Sequence, residues 1–167
     1  NEFYEKRVFT PAQNFVDYVE FDGKKVPFGT DIIFVDTEMP DFRFAIEICE
    51  DVWVYDSPSN RHCAAGANMI LNLSASNETI VKADYRRKMI EIQSAKTGMV
   101  YMYTSSGPSE STGNTVFSAH DMICENGQML DEAQPFEGGY AQAQVDLGFV
   151  ANERGRMCHV QTDGYVT

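Results

Sequence analysis

Three short apolar runs, 42–49, 69–73 and 99–103, are each separated from the next by a segment long enough for a helix. This alternation constrains the fold more than any other feature. A strand buried on both faces reads as a nearly unbroken apolar run, and a parallel neighbour needs a crossover of roughly a dozen residues, usually helical. Asp56-Ser57-Pro58-Ser59 carries a helix-start signature, which predicts a short helix across 60–67. The segment from Thr79 to Lys96 is the clearest helix. Ile80, Ala83, Arg87, Ile90 and Ser94 recur near helical spacing, and Thr97-Gly98 closes it. Strand–helix–strand–helix–strand predicts an α/β layered fold with a mixed sheet.

The flanks extend this pattern. Residues 31–36 form a short apolar run between Gly29 and Pro40, as a buried strand should. Residues 18–28 read as a hairpin turning at Asp22-Gly23, and a second hairpin, 115–125 with 128–133, turns at Asn126-Gly127. A polar loop covers 105–114. Gln142–Leu147 alternates as a last strand, and Phe149–Met157 has the length of a short helix.

Composition excludes several classes. At 167 residues, with 43% hydrophobic and 23% charged residues, the chain fits one domain with a sizeable core. No apolar stretch approaches the roughly 20 residues of a membrane span. The first residues carry acids and aromatics rather than the basic start and apolar run of a signal peptide. A net charge of -12 argues against a nucleic-acid partner. Cys49, Cys63, Cys124 and Cys158 show no CxxC spacing, which points to free thiols in a reducing, cytoplasmic setting. His62, His120 and His159 are isolated from one another, so no metal site is expected.

Cys49 stands out among the thiols. It ends an apolar strand and is followed at once by Glu50-Asp51 and a helix start. Backbone N–H groups at such a junction can hold a thiolate and later an oxyanion. A buried structural cysteine fits the same position when it is taken alone.

Four runs in chain order add to this reading. Glu47-Ile48-Cys49-Glu50-Asp51-Val52-Trp53 resembles the nucleophile segment of the carbon–nitrogen hydrolase (nitrilase) superfamily. Its Cys-Glu-Asp version is similar to the glutaminase domain of glutamine-dependent NAD synthetases. The run from Asn1 to Phe9 resembles the motif just after that family's catalytic lysine. Leu71–Ser76 resembles the strand and loop after the nucleophile, and 106–112 with Glu125-Asn126-Gly127 resembles the distal half. The resemblance covers residues 1 to about 150.

It implies a nitrilase-type α-β-β-α sandwich with mixed sheets and a Glu-Lys-Cys mechanism. Cys49 would be the nucleophile that forms a glutamyl thioester and releases ammonia. Glu5 would be the additional glutamate that positions the lysine or the substrate. Phe3 and Glu50 would contact the glutamine, and Ser76 would form the far wall of its pocket. From the residues alone, Phe3 reads as well as a packing residue, Glu5 as a surface acid, and Ser76 as a helix cap.

The sequence departs from the family pattern at one point. The family places its lysine motif immediately before Asn1 and its general-base glutamate earlier still, so 1–167 reads as a partial glutaminase domain with its N-terminal part missing. Nothing resembles the phosphate-binding loop of an ATP-binding synthetase domain. ATP and Mg are therefore expected only in such a domain of the same polypeptide, with no cofactor here. A homo-oligomer with an internal ammonia path is implied. The expectation is that this segment alone does not hydrolyse glutamine. A stand-alone amidase and a non-catalytic homologue lacking the triad are the competing readings.

Overall fold

The computed structural model describes residues 9, 10, 12 and 15–157. Strands β1 (Val16–Phe21) and β2 (Lys24–Gly29) pair antiparallel as a sheet of their own. Asp22 at φ 50 and Gly23 at φ 70 make the tight turn. Two successive positive φ values match the twist of the flanking strands, which is why Asp-Gly suits this position.

The main sheet has six strands: β3 (Phe34–Val35), β4 (Arg43–Ile48), β5 (Met69–Ser74), β6 (Val100–Ser105), β7 (Met122–Glu125) and β8 (Gln128–Glu132). They lie in chain order, with β4, β5 and β6 parallel and the other pairs antiparallel. Helix α1 (Pro58–Ala64) links β4 to β5, and α2 (Lys82–Thr97) links β5 to β6. Helix α3 (Leu147–Arg156) follows the sheet. This is the mixed α/β arrangement expected from the alternation of runs.

The core lies between the sheet and its crossover helices. Ala45, Ile70, Tyr101, Tyr103, Met122 and Cys124 point to this side and pack with Ile90 of α2. Gly98, at φ 62, ends α2, a backbone conformation that favours glycine. On the opposite face Met69, Val100 and Ile123 pack under Val150 of α3, while Ile46, Ile48 and Leu73 stay exposed.

Several sequence expectations change, among them the hairpin strand expected over 115–125, which is confined to Met122–Glu125. The strand at 31–36 shrinks to Phe34–Val35, paired to Phe44 and Arg43. The inward stripe of α2 runs through Arg86, Ile90, Ser94 and Thr97, so Arg86 rather than Arg87 faces the core. Residues 142–147 do not form a strand. Ala141, Ala143, Val145 and Leu147 do pack against the second cluster, as their alternation implies. Their backbone, however, is taken by side chains: the Gln142 N–H donates to Asp131 Oδ2 at 2.7 Å and the Asp146 N–H to Glu125 Oε2 at 2.8 Å. A segment whose donors go to carboxylates builds no ladder.

His62 is buried in α1, and burial pulls its imidazole down from 6.5 to about 4 against an opposing effect of Asp31. Between these values the unfolded chain binds a proton that the folded chain does not. Stability is therefore full above pH 6.5 and is lost as pH falls toward 4, by about 3 kcal/mol in all. His62→Gln is expected to flatten this acid limb. Urea midpoints compared at pH 7 and pH 4.5 measure the difference.

Candidate active site

The site is built where the three parallel strands end. Ile48 is extended, at φ -123, and the next residue, Cys49, turns to φ 48 to open a 3-10 turn over Cys49–Trp53. A non-glycine residue in the left-handed region is uncommon and is concentrated at functional turns. The Asp51 carboxylate steadies the reversal by accepting the Ile48 N–H at 2.9 Å. Cys49 is thereby left half-buried at the C-terminal edge of β4, the edge where open α/β sheets bind ligands.

A buried polar ladder lies just beneath it. Glu47 accepts the Ser59 N–H at the start of α1, and its Oε2 accepts the Tyr101 hydroxyl at 2.6 Å. Asn72 donates to the same hydroxyl at 3.1 Å, and Ser74 donates to Asn72 at 2.7 Å. The chain of bonds crosses β4, β5 and β6. Burial raises the Glu47 carboxyl above its ordinary value, and the bonds from Tyr101 and Ser59 oppose it. Burial also holds the Tyr101 phenol well above its usual range, so it remains a donor.

A cation lies within electrostatic reach of the thiol. Lys82, the first residue of α2, donates from Nζ to Asn77 Oδ1 at 2.7 Å and lies 5.3 Å from the centre of the Trp53 ring. Trp53 is itself stacked on Tyr85. Burial lowers the Lys82 ammonium and the charge of Arg86 adds to this, while Glu78 and the Cys49 sulfur raise it. Tyr103 is also within electrostatic reach of Cys49, and burial pushes its phenol up. Among the described residues Lys82 makes no ion pair within 4.0 Å.

Behind Lys82 sits Arg86, whose side chain is 0% exposed. Its Nη1 is 2.6 Å from Glu78 Oε1 and 2.8 Å from His120 Nδ1, and its Nη2 donates to Ser76 Oγ at 3.4 Å. Ser76 is thus buried and turned to Arg86 rather than capping α2, whose N-cap is Val81. Glu50 is exposed in the turn beside Cys49. Phe3 and Glu5 lie outside the described residues, as do Cys158 and His159.

The remaining thiols are placed elsewhere. Cys63 in α1 donates to the Thr97 carbonyl at 3.2 Å, and Cys124 in β7 is fully buried, its thiol pushed up to about 12. Among the described residues no group of three His, Cys, Asp or Glu side chains is placed to hold a metal ion.

Known proteins resemble the chain in sequence and in fold. No family model matches the chain. Over 158 residues it is 37% identical to the glutamine-dependent NAD(+) synthetase of Mycobacterium bovis, a match over 93% of the chain and 23% of the relative. A crystal structure of a glutamine-dependent NAD(+) synthetase from Cytophaga hutchinsonii superposes with a TM-score of 0.64 at 26% identity, over 77% of this chain and 20% of that one. Over nearly its whole length the chain is similar to one part of the glutamine-dependent NAD(+) synthetases. It spans 17 to 23% of the length of the curated relatives it matches. The fold is shared more widely: a nitrilase-superfamily amidase of Nesterenkonia AN1 superposes with a TM-score of 0.56 at 17% identity, over 81% of this chain and 43% of that one.

Glu47, Lys82, Tyr103 and Arg86 were not singled out from the sequence. One signal was available for Arg86: it falls four residues before Ile90 and eight before Ser94, the spacing of a buried stripe. Lys82 and Tyr103 carry no such mark. They reach Cys49 only because β4, β5 and β6 end side by side.

Proposed function

We propose that the chain carries the cysteine nucleophile and part of the substrate pocket of a glutamine amidohydrolase within a glutamine-dependent NAD synthetase. The observation that carries this reading is Cys49 at the edge of the parallel strands, with Lys82 within electrostatic reach of it, in a chain 37% identical to a synthetase of that name. The Cys49 thiolate adds to the side-chain amide carbon of glutamine and forms a C–S bond. The tetrahedral intermediate collapses, the C–N bond breaks, and the nitrogen takes up a proton and leaves as ammonia. Water then adds to the glutamyl thioester, the C–S bond breaks, and glutamate departs as the thiolate is regenerated.

The other roles follow the same frame. Lys82 offers its ammonium to the α-carboxylate of the amino acid, and Glu50 accepts the α-amino group at the mouth of the pocket. Ser76 belongs to the far wall, Phe3 contacts the glutamine, and Glu5 supports the site. The general-base glutamate and the lysine of the family pattern are assigned to residues ahead of Asn1. The 167-residue segment alone is therefore expected not to turn over glutamine. Ammonia passes to a synthetase unit, where ATP and Mg would act, in a homo-oligomeric enzyme.

Acid quenching of the full-length polypeptide during glutamine turnover tests this reading. Peptide mass spectrometry should find a glutamyl adduct on Cys49. An adduct on another residue, or none during turnover, overturns it. Glu50→Gln and Lys82→Met should each raise KM for glutamine by about tenfold or more with less change in kcat. An unchanged KM in Glu50→Gln favours a stand-alone amidase acting on another small amide.

A further inference from the structure

We infer that Arg86 is the positioning residue of the substrate pocket, holding the segment Ser76–Glu78 and through it Lys82; the inference rests on the glutamine reading above. Arg86 occupies the inward stripe of α2, where helical periodicity calls for an apolar side chain. A buried guanidinium is costly unless its donors are matched, and an apolar residue of similar volume would pack at this position without that penalty. The partners of Arg86 indicate what it does instead.

Two of its bonds go to the segment between β5 and α2: Glu78 at 2.6 Å and Ser76 at 3.4 Å. Asn77 lies between these two anchors, and its Oδ1 accepts the Lys82 ammonium at 2.7 Å. The line of support therefore runs from Arg86 to Ser76 and Glu78, then Asn77, then Lys82, which lies within electrostatic reach of Cys49. Glu78 is held a second time by the Ser118 hydroxyl at 2.7 Å and by its own N–H, which donates to the Val116 carbonyl at 2.7 Å.

Arg86 is fixed from its other side. A guanidinium only donates, so His120 must present Nδ1 as acceptor and Nε2–H as donor. The Nε2 group lies 2.7 Å from Glu132 Oε1 on β8, and Arg87 binds the other oxygen of Glu132 at 3.2 Å. The pocket wall is thus tied to the far hairpin of the sheet through the buried Arg86 and His120. Lys82 and Arg86 are also an i, i+4 pair of like charges, a repulsion that Glu78 offsets by facing both.

The test uses the full-length polypeptide with Arg86→Lys and Glu78→Gln. Three quantities are measured: kcat and KM for glutamine, the rate of Cys49 alkylation by iodoacetamide, and the thermal midpoint. Iodoacetamide needs the thiol but none of the amino-acid contacts. Each variant should raise KM about tenfold or more, with kcat within about threefold and alkylation within about twofold of the parent. Adding Ser76→Ala to Arg86→Lys should raise KM little further, because both act through one segment. Parental KM in both variants overturns the role of Arg86. A parallel fall of kcat, alkylation rate and thermal midpoint overturns it too, since that is the mark of a purely structural residue. A parent enzyme that does not hydrolyse glutamine overturns the glutaminase reading and this inference with it.

Discussion

Cys49→Ala in the full-length polypeptide is expected to lower glutamine hydrolysis by at least about 10³-fold, because no second group can form the thioester. The fold should survive the change. Cys49 is half-buried, and alanine at φ 48 meets much the same backbone strain as cysteine, so the thermal midpoint should move little. The controls are the other described thiols. Cys63→Ala loses only a weak bond to the Thr97 carbonyl, and Cys124 is a buried thiol pushed up to about 12 that packs against Met129. Both single variants should retain turnover. Loss of activity in Cys124→Ala at unchanged stability, with Cys49→Ala still active, would reassign the nucleophile.

Glu47→Leu should destabilise the chain by about 3 kcal/mol, the cost of leaving buried polar partners unmatched. The partners are the Ser59 N–H and the Tyr101 hydroxyl, and the carboxylate that joins them is 0% exposed. Glu47→Gln keeps an acceptor and should cost less. The two variants also differ from the parent in pH dependence. Burial raises the folded carboxyl above 4.5, so over the window from 4.5 up to its folded value the native state binds more protons than the unfolded state. Stability from this group is fully present below 4.5 and declines as pH rises through the window, opposite in sign to the effect of His62. Chemical denaturation across pH 4 to 7 should show that the stability of the parent relative to Glu47→Gln falls as pH rises, on top of the opposite His62 trend that both share. An identical slope in both would show that Glu47 does not titrate differently on folding.

These two residues separate what periodicity reveals from what it conceals. The position of Cys49 at a strand end was legible, because an apolar run followed by Glu50-Asp51 and a helix start marks a junction. The role of Glu47 was not legible: an acid inside a strand looks like a solvent-facing alternation. Only the pairing of β4 with β5 and β5 with β6 brings Asn72 and Tyr101 to it. The same limit explains 142–147. Its alternation correctly marked which side chains face inward but could not say that Asp131 and Glu125 would take its backbone donors. Arg86 and Arg87 were exchanged for a related reason. Helical spacing is 3.6 residues, so a stripe anchored on Ile80 and Ala83, outside or at the start of α2, drifts by one position before it reaches the core.

The sequence by itself determined the alternation of strands and crossover helices, the two tight hairpins at Asp22-Gly23 and Asn126-Gly127, and a thiol at a strand end. Each depends on local periodicity or on backbone conformations that only certain residues adopt readily. The tertiary structure alone decided which groups surround that thiol. Lys82 and Tyr103, the ammonium and the phenol within electrostatic reach of it, lie 33 and 54 positions beyond Cys49 in the chain. They converge because parallel strands place their C-terminal ends together, and contacts at such separations leave no periodic trace in a sequence.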